Sequence, residues 1–188
     1  MAQIAAVTLD FVLKVLETRA GLDRGELLAA IGLDEKVFGE ENAKVDGAKL
    51  GQLFAIAMEK TGDPHLALHL GESTSPQSLG LLGYLLVNAA TVGEMLEKLS
   101  RYHKLIGRQL EFAVSQTGTR YRMAVSIAGN PLIPMPRFQA DVHLSAILSL
   151  LRQVSGNHVY PCQVHFQREA PEEAGEYKRI FEIGRAHV

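Results

Sequence analysis

Residues 110–127 read Leu-Glu-Phe-Ala-Val-Ser-Gln-Thr-Gly-Thr-Arg-Tyr-Arg-Met-Ala-Val-Ser-Ile. Leu110, Phe112 and Val114 alternate with Glu111, Ala113 and Ser115, and after a Gly118 turn the same alternation resumes at Tyr121, Met123, Val125 and Ile127. A period of two with a glycine in the break predicts a β-hairpin whose apolar face is covered. Apolar residues before this stretch recur at three- and four-residue steps, as in amphipathic helices.

Working back from the hairpin, Thr91-Val92-Gly93-Glu94 has the form of a capping box and predicts a helix through Met95, Leu96, Leu99 and Tyr102 to about Leu105. Residues 79–88 are apolar nearly all round, with Gly80 and Gly83 three apart, and predict a buried helix closely approached by another element. Asp63-Pro64 suits the start of a helix reaching about Leu70. Asp46 suits the cap of a helix with Leu50, Leu53, Phe54, Ala57 and Met58 on one stripe, ending at Gly62. Asp23 and Gly32 bracket a short helix bearing Leu27, Leu28 and Ile31. Val7, Phe11, Val12, Val15 and Leu16 recur at helical spacing over 4–16 and predict the first helix, which stops near Ala20-Gly21.

Past the hairpin, Pro131, Pro134 and Pro136 break the chain. Residues 138–154 predict a long helix through Val142, Leu144, Ala146, Ile147, Leu150 and Leu151, closed at 155–157. Cys162, Val164 and Phe166 alternate with Gln163, His165 and Gln167 and predict a further strand with Cys162 facing inward. Residues 171–173 are expected to open a last helix through Tyr177 and Phe181, with Glu172, Glu173 and Glu176 favoured by its dipole. The fold class is α+β: a helix-rich N-terminal part, a β-hairpin, a long helix, a further strand and a C-terminal helix.

Composition excludes several functions. Nineteen Lys plus Arg against 21 Asp plus Glu give a formal charge of −2, which lacks the basic excess that binding phosphates demands. A lone cysteine rules out an intrachain disulfide and any multi-cysteine metal centre. No apolar run approaches the roughly 20 residues that span a bilayer, and no signal peptide opens the chain, so the cytoplasm is the expected location. His65 and His69 offer two metal ligands with no third marked, so no metal is expected. Ser73, Ser75 and Ser78 lack a nucleophile elbow, and no nucleophile, base and orienter stand at an interpretable spacing. An enzyme is not expected.

Asp63-Pro64-His65-Leu66-Ala67-Leu68-His69-Leu70-Gly71-Glu72, Leu79-Gly80-Leu81-Leu82-Gly83-Tyr84, Ala90 through Leu96 and Arg101-Tyr102-His103 occur in one order. With Leu151 through Gly156, Val164-His165-Phe166 and Glu176 through Phe181, this order resembles the N-terminal effector domain of AraC-type transcription regulators, of the helix-rich, non-cupin kind. The resemblance implies a bacterial regulator domain at 1–181 that senses a small molecule, supports a homodimer and needs no cofactor. It also implies DNA binding through a C-terminal helix-turn-helix domain absent from these residues. Residues 182–188 back-translate into the opening of a common sequencing-library adapter and are expected to be a non-native tail.

Polar groups in apolar settings make Tyr84, Tyr102, His103 and His143 the candidate effector contacts, with Asp141 beside His143 also noted. A second reading stays open: a stand-alone module holding a hydrophobic ligand or haem, with His103 or His143 as axial ligand.

Overall fold

The computed structural model describes residues 3–40, 43–105, 110–127, 136–156, 158–169 and 174–183. The expected breaks at Pro131 and Pro134, the side chain of Val7, Asn157, the helix opening at 171–173 with Glu172 and Glu173, and residues 184–188 lie outside this set. The chain divides into two compact units, residues 1–70 and 71–188.

In the first unit, α1 (Ala6–Ala20), α2 (Arg24–Ala30) and α3 (Ala48–Thr61) pack on one another. The buried stripe of α1 is Leu9, Leu13 and Leu16, not the expected Phe11, Val12 and Val15. Phe11 is exposed, because it lies about half a turn from the leucine row at 3.6 residues per turn. Asp23 caps α2 as expected, accepting from the Glu26 N–H at 2.8 Å, and Gly32 follows with φ +65°. Asp46 sits one residue before the cap position of α3 and still accepts from the Ala48 N–H at 3.0 Å. A pairing not foreseen joins β1 (Gln3–Ala5) to β2 (Lys44–Asp46), antiparallel with Ile4 opposite Val45, both buried. Three-residue strands give too few alternations for a period-two signal. Arg24 ties this unit together through Asp10 at 2.6 Å and Glu35 at 2.8 Å. Asp63 accepts from the His65 N–H at 2.8 Å and leads into α4 (Leu66–Glu72).

In the second unit, a short 3-10 turn (Pro76–Leu79) precedes α5 (Leu81–Val87) and α6 (Val92–Tyr102). Gly80 separates the turn from α5 with φ +54°, a conformation that L side chains rarely adopt. A Cβ on Gly83 would fall 1.7 Å from the Pro76 carbonyl oxygen, so the predicted close approach is made there by backbone. The capping box forms: Thr91 accepts from the Glu94 N–H at 3.1 Å, and Glu94 reaches back to the Ala90 N–H at 2.7 Å. Contrary to expectation, α5 is not buried all round. Leu82, Gly83 and Leu86 face the core while Leu81, Tyr84 and Val87 stand exposed. A seven-residue helix with one neighbouring layer has a second face left over, and apolar residues occupy it.

The hairpin forms as predicted from β3 (Leu110–Thr117) and β4 (Arg120–Ile127), with Phe112 opposite Val125 and Val114 opposite Met123. Those four pack with Leu82, Leu86, Met95, Leu96 and Leu99, and with Ile147, Leu150 and Leu151 of α7 (Arg137–Ser155), into one core. Tyr121 lies so close to Gly93 that a Cβ there would sit 2.1 Å from the phenol oxygen, which seats β4 on the first turn of α6. The final helix is α8 (Gly175–Phe181), with Tyr177, Ile180 and Phe181 buried.

The expected strand around Cys162 is absent. Val164, Phe166 and Arg168 are half-buried and Gln163, His165 and Gln167 exposed, so the alternation is real, yet no ladder forms among the described residues. Side chains hold this segment instead: Phe166 packs edge-on against Tyr177 and Phe181, at 5.6 and 6.0 Å between ring centres. Cys162 is exposed, not inward.

Candidate functional site

Four helix positions carry a polar row along α7 at four-residue steps, Asp141, Ser145, Ser149 and Gln153. Spacing of four keeps them on one face. Asp141 accepts from the Tyr177 hydroxyl at 2.7 Å and from Arg168 at 2.5 Å, with Arg137 at 3.6 Å. Ser145 meets Gly71, where a Cβ would lie 1.9 Å from the serine oxygen. Ser149 donates to the Glu72 carbonyl at 2.7 Å and Gln153 to the Thr74 carbonyl at 2.7 Å. Glu72 is gripped by both terminal nitrogens of Arg179, at 3.0 and 2.7 Å, and Arg179 also holds Glu176. These two carboxylates raise the Arg179 pKa above its ordinary value, although the group is about half exposed and such surface pairs add little. These contacts brace residues 71–74, α7 and α8 together.

The four expected contacts stand in different settings. His103 is buried in the turn His103–Leu105, and its Nδ1 and Nε2 lie 2.8 and 2.7 Å from the carbonyl oxygens of Ser100 and Leu110. It ties the end of α6 to the start of β3, with a backbone carbonyl oxygen against each ring nitrogen. Tyr84 and Tyr102 are both exposed. Tyr102 borders a cleft of about 150 Å³ with Glu94, Glu97, Lys98 and Arg101. A larger, open hollow of about 500 Å³ lies in the first unit, between residues 29–32 and 49–56, remote in sequence from all four. His143 is half-buried on α7, with Nδ1 at 2.6 Å from the Gln139 carbonyl. Among the described residues no three His, Cys, Asp or Glu side chains gather to hold a metal, and no helix is long and apolar enough to cross a membrane.

Burial holds the His143 imidazole below its ordinary range, while the Gln139 carbonyl pulls the other way. A depressed folded-state value means that this group's contribution is complete above the unfolded imidazole pKa of about 6.5 and is lost as pH falls toward the folded value. The Tm of the protein should therefore drop between about pH 7.5 and about pH 5.5 by more than that of His143→Gln, as read by thermal denaturation at each pH. Parallel curves for the two proteins would show that His143 is not the group responsible.

The chain belongs to the family described as the arabinose-binding domain of AraC transcription regulators, N-terminal, whose model matches residues 21–184. It is also similar to the ornithine utilization regulator of Pseudomonas aeruginosa, at 22% identity over 182 residues, covering 97% of this chain and 53% of that relative. The chain thus spans about half the length of the curated relative it matches. Together these matches make it a ligand-sensing regulatory domain of the AraC type.

Proposed function

We propose that this chain is the effector-sensing and dimerising part of a bacterial, cytoplasmic transcription regulator that binds DNA through a further domain. The observation that carries it is the family match over 21–184. A small molecule that binds one arrangement of the domain better than another shifts the population of the two, and attached DNA-binding heads follow that shift. Tyr102, beside its cleft, and His143, on the braced helix α7, are the effector contacts that this reading tests first. The reading treats the domain as a sensor without catalysis.

The family description and the relative's name supply the first two probes, L-arabinose and L-ornithine. Calorimetric titration of each into the protein tests the reading. Saturable heat from either compound, weakened by Tyr102→Ala or His143→Ala, supports effector sensing at this site. Saturable heat unchanged in both variants moves the site elsewhere. No heat from these probes or from a wider panel of sugars and amino acids counts against effector sensing.

A further inference from the structure

The open hollow of about 500 Å³ in the first unit lies between the end of α2 and the first half of α3. Its volume falls in the range of clefts that hold small molecules. Ile31 is buried there and Ile56 half-buried, whereas Ala29 and Ala55 are exposed and too small to fill the space. Lys49 and Gln52 supply the polar part of the lining, and no acidic residue belongs to it. Positions three and seven apart share a helix face, so Lys49, Gln52 and Ile56 stand on the same side of α3.

The Lys49 ammonium donates to the Ile31 carbonyl at 2.5 Å, just past the last turn of α2. An ammonium carries three donors, so two remain once that carbonyl is served. Neither meets an acceptor among the described residues, whereas Arg24 of α2 reaches Glu35 at 2.8 Å and Lys60 reaches Glu26 of α2 at 2.6 Å. The Gln52 amide is also without a partner among the described residues. We infer that the hollow binds a short aliphatic monocarboxylate, whose carboxylate accepts from Lys49 and the Gln52 amide and whose chain covers Ala29, Ala55 and Ile56. The negative end of the α2 dipole disfavours an anion set directly against the last carbonyls, and the Lys49 ammonium stands on that end to offset it. A sugar finds too few polar groups in this lining, and the ammonium group of an amino acid finds no acid to replace its lost water.

This site belongs to the first unit and is separate from the contacts at Tyr102 and His143. Sodium hexanoate titrated into the isotope-labelled full chain, with backbone amide shifts followed by NMR, measures it. Hexanol serves as the uncharged probe of the same length, and Lys49→Met and Ala55→Leu are the variants. The expected result is saturable hexanoate shifts gathered at 29–32 and 49–56, with hexanol bound about tenfold more weakly. Lys49→Met should weaken hexanoate about tenfold, the loss for one hydrogen bond to a charged group. Ala55→Leu should weaken it as much, because it fills the hollow and keeps the ammonium. Ala55→Leu with wild-type circular dichroism also decides the matter if Lys49→Met, which gives up its bond to Ile31, does not fold. Four outcomes overturn the inference: no shifts at millimolar hexanoate, shifts that gather elsewhere, hexanol bound as tightly as hexanoate, or hexanoate binding that Ala55→Leu leaves unchanged.

Discussion

Asp141→Ala is expected to lower the stability of the protein by about 3–5 kcal/mol, the range for removing one member of a buried, hydrogen-bonded charge pair. Asp141 is 3% exposed and joins three pieces of chain: α7 that carries it, Arg168 from the segment before α8, and Tyr177 from α8. Arg168 also stacks on the Phe166 and Tyr177 rings, 4.7 and 5.5 Å from their centres. Without the carboxylate, Arg168 keeps a largely buried charge with no other ion-pair partner among the described residues, and the Tyr177 hydroxyl loses its Asp141 acceptor. Tyr177→Phe removes a single bond to a charged group and keeps the ring packing, so about 1.5–3 kcal/mol is expected. Urea denaturation monitored by circular dichroism checks both. A loss under about 1 kcal/mol for Asp141→Ala would mean that the three groups separate without cost, contrary to their burial.

Burial raises the Asp141 carboxyl above its ordinary range, and Tyr177, Arg168 and Arg137 oppose that rise. The charged form is thus expensive in this setting, and the cluster holds the carboxylate only because its partners converge. That dependence on convergence explains why the sequence did not reveal it. Asp141 stood out as an acid in an apolar helix, but Arg168 and Tyr177 are 27 and 36 residues further on, in stretches whose periodicity reports only burial.

Local chemistry was legible throughout. The Thr91 box, the Asp23 cap, the Gly118 turn and the alternation of β3 and β4 each rest on groups within a few residues of one another, and each formed. The Val164–Phe166 alternation was equally clear and still gave no strand, because a ladder needs a partner edge that the pattern of one segment does not specify. The candidate site suffered the same way. His103 was chosen as a polar group in an apolar setting, and its setting proved to include two backbone carbonyls, one against each ring nitrogen. Polarity within an apolar run cannot distinguish a side chain waiting for a ligand from one already satisfied.

Leu86→Ala is expected to cost about 2–5 kcal/mol, as for other fully buried leucines cut to alanine. Leu86 lies at the centre of the cluster formed by Leu82, Met95, Leu96, Leu99, Phe112, Ile147, Leu150 and Leu151. Its removal leaves a void bounded by three helices and the hairpin, which cannot all close in together. Leu81→Ala, five positions earlier on the same helix, is expected to change stability by no more than about 0.5 kcal/mol under dilute conditions. The two leucines differ in nothing that composition or hydropathy records, and seven apolar or glycine positions in α5 leave its phase undetermined. The fold decides by placing Gly83 against Pro76, which turns Leu82 and Leu86 inward and Leu81, Tyr84 and Val87 outward. Denaturant titrations of both variants at two protein concentrations separate the roles. A Leu86 loss that is independent of concentration, with Leu81→Ala close to wild type, reports the core. Equal losses in the two variants would mean that α5 does not present the faces described.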